Sequence, residues 1–117
     1  MTAPITPRST KVMGQRFTVT MVENLRVSSE CGHLDILGLC DSDAQKIVLE
    51  SFQGPDKLRE TFLHEHLHAM VNLAGLRDVL TADKDEDVIK RLTPILLQFL
   101  RDNPAVYAFL IGKSVAR

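Results

Sequence analysis

What this chain has little of narrows its function first. Net charge is only −1, and lysine and arginine are spread along the sequence, so no basic face for nucleic acid is expected. Apolar runs stay far short of the ~20 residues that cross a bilayer, and residues 1–11 contain no apolar signal core. A cytoplasmic protein with no membrane partner is the expectation. Cysteine is scarce as well. Cys31 and Cys40, with His33, give a single Cys-x-His pair, a spacing that matches no standard zinc knuckle. Both cysteines are expected as reduced thiols. Internal repeats and low-complexity segments are missing.

What is present fits one modest domain. With 117 residues, 44% of them hydrophobic and 25% charged, the chain can build a core of its own. Residues 1–13 are polar, carry two prolines and are expected to fray. Residues 14–117 form the domain.

The informative stretch is His64-Glu65-His66-Leu67-His68, an H-E-x-x-H pattern. On an α-helix a four-residue step turns ~400° and rises ~6 Å, so His64 and His68 leave one face a turn apart. Two imidazoles so placed can hold a tetrahedral Zn²⁺ at ~2.0–2.1 Å. Glu65 lies ~100° round from His64, near enough to reach a metal-bound water without ligating the ion. That suits a general base in metal-assisted hydrolysis. An exposed, merely histidine-rich helix would leave Leu63, Leu67, Met70 and Val71 unexplained beside the pair. His66 points ~200° away and reads as a surface or second-layer histidine.

The surroundings predict a helix over residues 57–76. Apolar residues recur there at 3/4 spacing, Gly54-Pro55-Asp56 opens the run, and Gly75 can close it in a left-handed conformation. Two histidines and a water do not complete a catalytic zinc site, so a third protein ligand is expected. The next acidic cluster, Asp83 to Asp87, opens a second predicted helix. First-turn acids favour the helix dipole and need no other role. Yet Glu86 shares a face with Ile89, Thr93 and Leu97, which points its carboxylate at the first helix. Asp85, aligned with Val88, Ile89 and Leu92, is the rival.

Alternation predicts a strand at residues 16–21, and two more at 35–40 and 46–50 form a hairpin around the turn at 41–45. Asp102-Asn103-Pro104 introduces a last helix at 105–111. Strands first and helices after make a small α+β fold, a short antiparallel sheet against two or three helices.

Residues 35–104 resemble the small gluzincin-type metallopeptidases. Leu37-Gly38-Leu39-Cys40-Asp41, Ile47-Val48-Leu49, the run Glu60 to Ala69, and Glu86 ahead of Ile89 and Leu92 carry the resemblance. Relatives in this sense are the minimal gluzincins, ImmA/IrrE-like domains and short phage-encoded H-E-x-x-H proteins. The resemblance implies a minimal zincin-like fold with zinc held by His64, His68 and Glu86, and water activated by Glu65. It also implies that Lys46–Glu50 is an open edge strand that pairs with an extended peptide substrate. The Glu-x-x-Ala-Asn-x-Phe-Ala run of ImmA-like domains is reduced here to Glu86-x-x-Ile89-x-x-Leu92-Thr93. Peptide deformylase shares H-E-x-x-H, but its glycine-rich and Glu-Gly-Cys-Leu segments are missing. For the oxyanion, His33 and Tyr107 are the chemically suitable candidates. The expected function is thus a zinc-dependent endopeptidase acting on a peptide or protein. The alternative is a non-catalytic zinc-binding domain that binds a partner in a phage or mobile-element setting. Oligomeric state is not readable.

Overall fold

The computed structural model describes residues 6–29 and 32–112, with the side chains of residues 28, 29, 32–35 and 77 outside the description. Six strands come first: β1 (Ser9–Val12), β2 (Gln15–Val22), β3 (Arg26–Ser29), β4 (Gly32–Asp35), β5 (Gly38–Asp41) and β6 (Lys46–Glu50). Three helices follow: α1 (Pro55–Leu73), α2 (Ala82–Asp102) and α3 (Pro104–Leu110). The chain is an α+β fold.

The main sheet has the order β1-β2-β6-β5. It is mixed and not the expected antiparallel sheet, because β2 and β6 run parallel while the two outer pairs are antiparallel. β1 and β2 form a hairpin whose turn places Met13 and Gly14 at φ 50° and 81°, the double positive φ that matches strand twist in two-residue hairpins. Ser9–Val12 therefore belongs to the sheet rather than to a fraying N-terminal segment. β3 and β4 pair separately as a two-stranded ribbon.

Alternation decides which side α1 covers. Phe17 and Val19 on β2, and Ile47 and Leu49 on β6, are buried and meet Leu58 and Ala69 of α1. Each such side chain contributes ~1.5–3 kcal/mol on burial. β6 is not the open edge. It lies between β2 and β5, and its run Ile47-Val48-Leu49, partly or fully buried throughout, has the near-continuous apolar character of an interior strand. The edge next to α1 is β5. There Glu50 N–H donates to the Leu37 carbonyl at 2.9 Å, and in the β5–β6 register Leu39 and Asp41 bond inward. Gly38 and Cys40 consequently turn their backbone N–H and C=O outward.

α1 begins at Gly54 with Pro55 in its first turn, and its last turn closes with Ala74 N–H on the Met70 carbonyl. Gly75 follows at φ 72°. α2 is capped by Thr81 and buries Asp85, Ile89 and Thr93; the Thr93 hydroxyl donates to the Ile89 carbonyl at 2.6 Å. Among the described residues no helix is long and apolar enough to cross a membrane.

Candidate metal centre

Helical spacing places His64 and His68 on the α1 face turned toward α2, and α2 brings Glu86 to them. His64 Nε2 stands 3.2 Å from His68 Nε2 and 3.2 Å from Glu86 Oε1; His68 Nε2 stands 2.8 Å from Glu86 Oε2. In a tetrahedral site with bonds of ~2.0–2.1 Å, ligand atoms lie ~3.3–3.4 Å apart; the two 3.2 Å separations approach that spacing, and the 2.8 Å contact of His68 with Glu86 is a hydrogen-bond distance. Among the described residues the trio is the one His/Cys/Asp/Glu group of this kind. A metal ion fits it.

Asp85 explains how His68 is held. Its carboxylate is 3% exposed and accepts from His68 Nδ1 at 3.3 Å. With the proton on Nδ1, the Nε2 lone pair is directed at the trio. Asp85, expected as the rival third ligand, thus sits behind His68 and outside the trio. Its other oxygen, Oδ1, is buried and has no hydrogen-bond partner among the described residues. Burial holds the His64 imidazole below its ordinary value, against the opposing pull of Glu86, which favours a neutral ligand.

Glu65 occupies the sheet-facing side of α1 at 8% exposure. Burial pushes its carboxyl up to about 7, with His68 lowering it and Glu86 raising it. The position depends on Gly38, where an added Cβ would lie 2.9 Å from Glu65 Oε2 and 2.8 Å from Thr61 Cγ2. The β5 edge can approach Glu65 only because residue 38 has no side chain. Gln53 holds that approach in place, donating to the Leu37 carbonyl at 3.1 Å and accepting from the Thr61 hydroxyl at 2.8 Å. An open cleft of ≈ 490 Å³ runs between Leu37 and Gly38 on one side and Glu86 and Lys90 on the other, with His64 and Glu65 along it.

The other expected residues fall elsewhere. His66 is neither exposed nor behind the trio. At 5% exposure it donates from Nδ1 to the Phe62 carbonyl at 2.7 Å and accepts at Nε2 from the Thr10 hydroxyl at 2.8 Å, tying α1 to β1. The signal was its place in the stripe Leu58, Phe62, His66, Ala69, where a core residue belongs. Tyr107 lies on α3 at 58% exposure and does not line the cleft. His33 is on β4, its side chain outside the described residues, as is Cys31. Cys40 is a free thiol raised by burial.

Fold and site together define an α+β domain carrying two histidines and a glutamate able to hold a metal ion. No protein-family model, curated protein or solved structure matches the chain.

Proposed function

We propose that this protein is a zinc-dependent metallopeptidase of the zincin type, with His64, His68 and Glu86 as ligands. The observation that carries this reading is the pairing of a ligand-spaced trio with a buried carboxylate, Glu65, that borders the same cleft without belonging to the trio. A purely structural metal site has no use for that second carboxylate. Two imidazole nitrogens and one carboxylate oxygen are a donor set that zinc accepts, with a position left for water. Zinc bound there would act as a Lewis acid and lower the pKa of that water toward ~7.

The chain's own residues would then divide the work. Glu65 takes the proton from the attacking water and delivers it to the leaving amine. Asp85 keeps the His68 lone pair aimed at the site. An extended peptide pairs with the outward N–H and C=O groups of Gly38 and Cys40 on β5, which brings its backbone alongside Glu65.

The test is Glu65→Gln. This variant is expected to retain zinc at the wild-type level and to lose peptide hydrolysis by ~10²-fold or more, the scale of a general-base contribution. Wild-type cleavage by a zinc-loaded Glu65→Gln protein would remove Glu65 from the chemistry.

A further inference from the structure

A second cavity opens along the β5 edge, beyond the cleft. It measures ≈ 570 Å³ and lies where the β5–β6 turn meets the last turn of α1, a size within the ~300–1,000 Å³ of ligand pockets. Cys40 and Leu73 give it apolar wall, and Asp41 and Asp43, both exposed, bring carboxylates to it. The site is held in shape. Asn72 donates its side-chain amide to the Ser42 hydroxyl at 2.8 Å, tying the turn to α1. Asp41 accepts from Ala44 N–H through Oδ1 at 3.0 Å, and its second oxygen is uncommitted among the described residues.

Charge separates this cavity from the cleft. In the cleft, ammonium groups of Lys57 and Lys90 stand among the carboxylates. No lysine or arginine lines the second cavity among the described residues. Lys46 lies opposite Asp41 in the β5–β6 register but is not one of its walls. Here negative charge stands without a counter-ion.

Strand register connects the two places. β5 is the end strand of the sheet. Gly38 and Cys40 pair with Leu49 and Ile47, which pack in the core with Leu58 and Ala69 of α1. Directly opposed residues share a face, so Gly38 and Cys40 face α1 as well. A peptide added to β5 obeys the same rule. Its residue beside Gly38 points into the cleft at Glu65, and its residue beside Cys40, two positions along and ~7 Å away, points into the second cavity. This holds whichever way the peptide runs.

We propose that this cavity is a specificity subsite for a lysine or arginine of the substrate, two residues from the one that lies beside Gly38. It rests on the peptidase reading above, which supplies the docking edge. The aliphatic stem packs on Cys40 and Leu73 while the cationic head reaches Asp41 and Asp43, the division that long basic side chains adopt on mixed surfaces. An arginine head adds charge-assisted hydrogen bonds to the carboxylates. A glutamate in the same place meets two like charges, so the cavity selects by repulsion as well as by attraction.

The test uses fluorescein-labelled alanine-valine hexapeptides that differ only in carrying Arg, Gln or Glu at one central position. Their affinity is read by fluorescence anisotropy on the zinc-loaded full chain with Glu65→Gln, so that bound peptide stays whole. The Arg peptide is expected to bind ~10-fold more tightly than the Gln peptide, and the Glu peptide most weakly. Adding Asp41→Asn and Asp43→Asn, which keep the acceptor for Ala44 N–H, should bring the Arg peptide down to the level of the Gln peptide with circular dichroism unchanged. Asp43→Lys alone should move preference toward Glu. Among products of the zinc-loaded wild type, mass spectrometry should find Arg two residues from one that flanks the cut bond. Equal or unmeasurable affinities, or a preference for Arg that survives both Asn substitutions, overturns the subsite. Selective binding of Arg that those substitutions abolish, with no peptide cut by the wild type, upholds the subsite and overturns the peptidase reading instead.

Discussion

His68 is the most constrained side chain of the site, with Asp85 on its Nδ1 and Glu86 at its Nε2. The two carboxylates have different duties. Glu86 is 54% exposed at its side chain, free to approach a cation, whereas Asp85 is buried and fixed. Removing the charge behind a histidine ligand lowers metal affinity by ~10–100-fold. Asp85→Asn should show that loss in a competitive chelator titration, with the fold intact by circular dichroism; unchanged affinity would mean that Asp85 only fills space. Glu65 makes a prediction about pH. Its carboxyl is raised from the ordinary 4.5 to about 7 by burial, so the folded chain holds this proton more tightly than the unfolded one. The associated stability is fully present below about pH 4.5 and is lost as pH rises through 7. Glutamine titrates nowhere in this range. Metal-free Glu65→Gln should therefore exceed metal-free wild type in stability by about 1–3 kcal/mol at pH 8, with the gap closing toward pH 4.5. Denaturant melts at the two pH values measure this. A gap that is flat with pH would contradict a buried, strained carboxylate.

Among the elements, β6 decides which strand edge borders the cleft. Val48 pairs with Leu39 on β5, and Thr20 of β2 lies across from it on the other side. A proline there removes a ladder N–H from an interior strand, which sheets do not tolerate. Val48→Pro should cost about 3 kcal/mol or more, read as a lost or sharply lowered thermal transition; a stable Val48→Pro domain would place β6 at an edge after all. This strand also marks where sequence reasoning stopped. The apolar periodicity of α1 and the face shared by Glu86, Ile89 and Thr93 were legible because helical geometry is local. Strand order is not local. Whether Lys46–Glu50 or Gly38–Asp41 faces solvent depends on which strand arrives from residues 15–22, and nothing within five residues encodes that. Ser9–Val12 was missed for the same reason, since a short polar strand becomes one only through its hairpin partner. His66 was missed because a histidine in a core stripe looks polar until Thr10 and Phe62 are seen to satisfy both nitrogens. Asp85, expected as the rival third ligand, lies on the Nδ1 side of His68 instead, its side chain one methylene shorter than that of Glu86.

The molecule as a whole is a sheet covered on one face by α1, with α2 laid on α1 and held to it by Ile89, Thr93 and the trio. Arg101 of α2 also approaches Asp56 of α1 at 3.7 Å, but both are exposed and such a pair contributes at most ~1 kcal/mol. A metal ion bridging α1 and α2 would therefore be a principal tie between them, and loading should raise the unfolding temperature by mass action. Everything proposed for the site rests on His64, His68 and Glu86 forming one coordination shell. Zinc content after dialysis against a weak chelator, measured on the wild type and on Glu86→Gln side by side, decides that point. About one zinc per wild-type chain and a large loss in the variant are expected; a wild-type chain that emerges metal-free, or a variant that keeps its zinc in full, would refute the shared shell.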